Sequence, residues 1–180
     1  RRSGVWPAGE EWLFEGLLDT YVPLIGMLSD LADRGVPYRI VIGVTPVLAE
    51  QLGAEDMLAG FESYTEDRIA RAERDRVRFE GTDPRRSEIA GWYAGHFRRI
   101  LARFRGPLGR DPLGALRRLQ DGGWVEILTS AATHGYLPLL GRESSIAAQV
   151  RVGRATSERR FGEIAGGIWL PECAYRPARV

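Results

Sequence analysis

Few residues in this 180-residue chain could carry chemistry, and they cluster at three places. The segment Trp169–Tyr175 reads WLPECAY and puts an acid, Glu172, directly after a short apolar run, Gly167–Leu170. A carboxylate at the end of an apolar strand loses solvation unless it is paired or hydrogen-bonded. That leaves two readings for Glu172: an ion pair with an arginine such as Arg176, or a catalytic carboxylate. His134 lies in TSAATHGYLP between small residues, which leave room for a ligand. A buried imidazole bonded to a backbone carbonyl is the other reading. Cys173 could act as a thiol nucleophile with His134 as its base, or be a small buried hydrophobe. His96 falls in mid-helix and is assigned to packing or surface.

Other chemistries find no support. Two histidines and one cysteine, widely separated, show no metal-ligand spacing, so no metal or other cofactor is expected. There is no Gly-rich phosphate loop and no G-x-S-x-G elbow. Trp6, Trp12, Tyr136, Trp169 and Tyr175 fall near expected loops or strand ends. Flat apolar ring faces with a polar rim suit the C–H faces of pyranose rings; ordinary core packing is the alternative, and it is preferred for Trp92.

These residues need a scaffold. Leu17, Tyr21, Leu24, Leu28 and Leu31 recur on one helical face, with Pro23 as an expected kink and Gly35 as the stop. Tyr38–Gly43 reads as a continuously buried strand ending at Thr45-Pro46. A charged helix covers about Ala54–Phe79, and a second covers about Ser87–Arg103. Asp111-Pro112 starts another helix, which stops at Gly122-Gly123. Val125–Leu128 is a second buried strand, a helix follows from Ser144 to about Phe161, and Gly167–Leu170 is a third strand. This order is the βα alternation of a parallel sheet. Ligands bind at the carboxyl ends of such strands. Three strands end in Thr45-Pro46, in Thr133-His134-Gly135 and in Glu172-Cys173. The domain expectation is a single partial barrel domain over 1–180, with a helical insertion at about 54–105.

The bulk numbers agree with one globular unit: 44% hydrophobic residues and a net charge of +1, which implies no nucleic-acid steering. All 25 basic residues are Arg, and Lys and Asn are absent, which is read as coding bias. One cysteine excludes an internal disulfide and suggests a cytoplasmic setting. No run is long enough for a membrane span, so no membrane partner is expected. The start at Arg1-Arg2-Ser3-Gly4 without Met, and the stop just after a motif, read as the ends of a fragment.

Four stretches together, WPAGEEWLFE (Trp6–Glu15), VTPVLAEQL (Val44–Leu52), TSAATHGYLPLL (Thr129–Leu140) and GIWLPECAYRP (Gly167–Pro177), resemble glycoside hydrolase family 57, and within it the 1,4-α-glucan branching type. The resemblance implies an α/β fold, part of an incomplete (β/α)7 barrel. It implies a retaining mechanism through a covalent glycosyl-enzyme, with Glu172 as nucleophile. His134 would line the subsite of the attacked sugar, and Trp6 and Trp12 would shape the glucan groove, with Tyr136 and Trp169 as further substrate contacts. The implied partner is an α-glucan such as glycogen or amylose. The family's first, His-containing motif should precede Arg1, and its acid/base Asp should follow Val180. Two alternatives stand beside the branching reading: a family-57 α-amylase or 4-α-glucanotransferase, and a non-catalytic glucan-binding or interaction fragment.

Overall fold

The structure is a computed structural model that describes residues 9–162 and 166–177. Its described residues form an α/β fold, mostly helical, with a small parallel sheet. They divide into two compact units. The first holds the residues up to Asp30 together with Ala54–Pro112; the second holds Leu31–Gly53 and the residues from Leu113 on.

The first unit begins with α1 (Glu11–Gly16), a π-helical turn (Leu17–Tyr21) and α2 (Val22–Asp33), which crosses into the second unit. Pro23 does not break this run. Proline lacks an N–H and its ring crowds the carbonyl four residues back. The wider turn just before it makes room, with the Val22 N–H reaching the Leu17 carbonyl. Next come α4 (Glu55–Phe79) and α5 (Pro84–Arg105), which pack against each other. α5 starts three residues earlier than its apolar pattern suggests. Asp83 caps it by accepting the Arg86 N–H at 3.1 Å, and Pro84 takes the first turn. Phe61 and Phe104 meet edge to face at 4.9 Å, both fully buried. Outside this core, Arg105 and Arg110 both bind Glu62 and tie the end of α5 and the loop after it to α4.

The second unit carries the sheet. β1 (Ile40–Gly43) pairs in parallel with β2 (Val125–Leu128), Ile40 opposite Val125 and Gly43 opposite Leu128. The continuously buried strand expected at Tyr38–Gly43 is not what forms. β1 is shorter, and Val41 is 56% exposed. β2 is its one hydrogen-bonded strand neighbour among the described residues, so the apolar run lacks the two-sided cover a parallel strand usually has. β2 alternates instead, with Val125 and Ile127 inward and Glu126 outward. The strand expected at Gly167–Leu170 is reduced to one parallel bridge, Ile168 to Thr129.

α3 (Pro46–Leu52) directly follows β1. Thr45 accepts the Leu48 N–H at its start, and Pro46 opens the first turn. α6 (Pro112–Asp121) runs up to Gly122 and Gly123, the latter at φ +72°, and leads into β2. α7 (Glu143–Phe161) buries Gly153, Thr156, Ser157 and Phe161, a face of mostly small or polar residues. Glu50 of α3 binds Arg159 and Arg160 of α7.

That triplet has a pH consequence. Hydrogen bonding to Arg160, opposed by burial and helped by Arg159, holds the Glu50 carboxyl below its usual range. A carboxylate with a depressed folded pKa stabilises above its unfolded pKa and loses that contribution as pH falls. The pair is half exposed, so the effect is at most about 1 kcal/mol. Glu50→Gln is expected to lower Tm slightly at pH 7, with the gap from wild type closing as pH drops below the ordinary value of 4.5; thermal melts of both proteins across pH check this.

Candidate active site

The loop leaving β2 and the turn leaving the Ile168 bridge meet within the second unit. Trp169 N–H donates to the Thr129 carbonyl at 3.0 Å, a hydrogen bond of the parallel bridge between Ile168 and Thr129. The neighbouring Ser130, 2% exposed, donates its hydroxyl to the Trp169 carbonyl at 2.8 Å and contacts His134 Nδ1 at 3.2 Å. His134 Nε2 then lies 3.5 Å from Glu172 Oε1. Two side chains 38 residues apart in sequence are thus joined by one buried hydroxyl and one strand rung.

The backbone at both is unusual. His134 (φ +54°), Glu172 (φ +53°) and Cys173 (φ +55°) all occupy the left-handed region without being glycine. Each costs about 1–2 kcal/mol, and such strain persists only where surroundings over-determine it, often at functional sites. Nothing in residue type signalled this, because glycine is the usual marker.

α7 is the clamp on the His134 loop. Ala132 N–H donates to the Gln149 carbonyl at 3.0 Å, and Thr133 N–H donates to the Gln149 side-chain oxygen at 2.9 Å. The Gln149 amide returns a bond to Thr133 Oγ1 at 2.9 Å, and Thr129 Oγ1 donates to the Gly153 carbonyl. Ser130, Gln149 and Gly153 were not singled out in the sequence. Their roles depend on two distant segments meeting, which residue spacing does not reveal.

Glu172 is paired with His134 and not with Arg176, and its side chain is 70% exposed. The carboxylate therefore faces open space at the strand end, with the His134 ring 3.5 Å from one oxygen. Cys173 is exposed, so the reading of it as a small buried hydrophobe is corrected: it shares the left-handed turn with Glu172 on the rim. Trp169, Tyr136 and Tyr175 are each about half exposed or more. A cleft of about 430 Å³ opens between the loop after His134 and the turn after Glu172; Leu137, Pro138, Ile146, Leu170, Tyr175 and Arg176 are among its walls. Trp12 belongs to the first unit, where it is exposed. Trp6 lies outside the described residues. Among the described residues no cluster of three His, Cys, Asp or Glu could hold a metal.

The Glycosyl hydrolase family 57 pattern matches residues 2–180, nearly the whole chain. The chain belongs to this family. It is 48% identical over 178 residues to a 1,4-alpha-glucan branching enzyme of Thermococcus kodakarensis, covering 99% of this chain and 26% of that one. In structure it resembles a GH57-type branching enzyme from Pyrococcus horikoshii, with TM-score 0.93 and 46% identity over 98% of this chain and 33% of that one. It also resembles the alpha-amylase AmyC of Thermotoga maritima, with TM-score 0.82 and 34% identity over 92% and 31% of the two chains. The chain therefore spans about a quarter to a third of the length of the relatives it matches. No helix among the described residues is long and apolar enough to cross a membrane.

Proposed function

We propose that this chain is the nucleophile-bearing part of a 1,4-α-glucan branching enzyme of family 57, working through a retaining transglycosylation. The observation that carries this is the juxtaposition of Glu172 and His134 at the ends of neighbouring parallel segments. Glu172 Oε attacks the anomeric carbon of an α-1,4-linked glucosyl residue. The bond to the departing chain's 4-oxygen breaks, and a β-linked glycosyl-enzyme forms. A 6-hydroxyl then attacks from the opposite face and leaves an α-1,6 branch. His134 binds the sugar under attack beside the Glu172 carboxylate. Trp169 and Tyr136, exposed at the same strand ends, supply ring faces for the glucan, with Trp6 and Trp12 as further groove residues. On this reading the chain contributes part of an incomplete (β/α)7 barrel, with a helical insertion at about 54–105.

A retaining reaction needs a second carboxyl about 5–5.5 Å from the nucleophile to protonate the leaving oxygen. The family resemblance draws that acid from a segment C-terminal to Val180. The substrate is a glycogen- or amylose-like α-glucan. The branching reading is favoured over the amylase reading by the identity of 46–48% to two archaeal branching enzymes, against 34% to the amylase.

The test is the product linkage. The intact protein, incubated with amylose, is expected to introduce α-1,6 branch points: isoamylase digestion then releases short chains, and iodine absorbance falls without a matching rise in reducing ends. A rise in reducing ends with no debranchable product would support the amylase instead. Glucan binding without either change would support a non-catalytic module.

A further inference from the structure

Ser130 has a hydroxyl with one proton and two neighbours. The Trp169 carbonyl, 2.8 Å away, has no proton to offer, so the Ser130 proton must lie on that line. The hydroxyl can then only accept from His134 Nδ1, at 3.2 Å. Nδ1 therefore carries a proton, and Nε2 is the nitrogen that faces Glu172 Oε1. Ser130 is buried, so water does not compete for its oxygen, and the neighbouring loop is fixed to α7 through Gln149 and Gly153.

We propose that Ser130 is a positioning residue for the reaction: it fixes the tautomer and ring plane of His134 and keeps the Glu172 turn and the His134 loop in register. The proposal rests on Glu172 being the nucleophile, and it assigns Ser130 no contact with substrate. A neutral imidazole with Nδ1–H fixed presents a lone pair to the carboxylate. Once the hydroxyl is removed, the neutral ring is free to flip its proton to Nε2 and bond Glu172 directly, which changes the proton inventory at the nucleophile.

The experiment uses the intact protein with ring-15N-labelled histidine, the His134 signals being identified by their loss in His134→Ala. Wild type is expected to show the Nδ1–H tautomer, and Ser130→Ala a shift toward Nε2–H. Transfer on amylose should fall in kcat by roughly 10- to 100-fold, the scale seen when a group orienting a histidine is removed, with KM changed less than about threefold. Ser130→Thr, which keeps a hydroxyl, should restore both the tautomer and most of kcat. In a His134→Ala background, the added Ser130→Ala change should cost less than about twofold, because its effect passes through the ring. An unchanged tautomer in Ser130→Ala, or the same kcat loss with and without His134, overturns the proposal. Full activity in Glu172→Gln would instead overturn the nucleophile reading, and the tautomer measurement would still decide the role of Ser130 toward His134.

Discussion

Glu172→Gln in the intact protein is expected to lower glucan transfer by on the order of 10⁴-fold or more, with the fold unchanged. An amide cannot supply the attacking oxygen, and loss of a nucleophile removes the covalent route as a whole. Little structural cost is expected, because the Glu172 side chain is largely exposed and its contact with His134 is 3.5 Å long. The backbone sharpens the test. At φ +53° the position is one that glycine adopts without strain. Glu172→Gly relieves about 1–2 kcal/mol of left-handed strain and gives back about 0.4–1 kcal/mol in unfolded-chain entropy. Its Tm should therefore match or exceed that of wild type while activity disappears. Activity and stability would then move independently, which a residue retained for packing could not produce. The gap left in Glu172→Gly should also admit azide. With an α-maltosyl fluoride donor, azide would displace fluoride from the face Glu172 normally uses, giving a β-glycosyl azide. Retained transfer in Glu172→Gln, or an α-glycosyl azide from Glu172→Gly, would remove Glu172 from the nucleophile role.

The sequence showed the parts of this molecule that are written locally. Caps and stops were readable because they act over three or four residues: Asp111-Pro112 opens α6, and Gly122-Gly123 closes it. The same signature at Thr45-Pro46 opens α3, although it reads at first as mere punctuation after a strand. Strand burial was harder to read. Tyr38–Gly43 is apolar enough to be covered on both faces, but cover comes from neighbours that composition does not identify, and Val41 is exposed. Residues with unusual chemistry, Glu172 and His134, stood out by type and position. Those that join them did not. Ser130 and Gln149 are ordinary polar residues until the β2 loop meets α7 and the Glu172 turn. The left-handed backbone at His134 and Glu172 left no trace either, since the sequence marker for such a backbone is glycine.

Gly153 is the glycine on which this arrangement depends most, and it lies in the middle of a helix, where glycine costs about 1 kcal/mol relative to alanine. The reason is contact, not freedom of φ. A Cβ at Gly153 would stand 2.2 Å from the Ser130 carbonyl oxygen, with the Ala132 nitrogen at 3.4 Å. That neighbour is backbone and cannot rotate away, so either α7 or the loop must retreat. Overpacking of this kind costs about 1–3 kcal/mol, against the roughly 1 kcal/mol that the helix propensity of alanine returns. The displacement has a direction. Thr129 bonds the Gly153 carbonyl, Ala132 bonds the Gln149 carbonyl, and Ser130 bonds both Trp169 and His134. Moving the loop off α7 therefore pulls on the same hydroxyl that orients His134. Gly153→Ala is expected to lose up to about 2 kcal/mol of stability by denaturant titration, once the helix propensity is returned, and to lower kcat for glucan transfer by roughly 100-fold, since misplacement by about 1 Å is enough for that. Ala155, one turn face away and exposed on α7, is the control: Ala155→Gly should cost about 1 kcal/mol by propensity alone and leave kcat near wild type. If Gly153→Ala proves as active as wild type, the grip of α7 on the His134 loop is not what sets the geometry at Glu172.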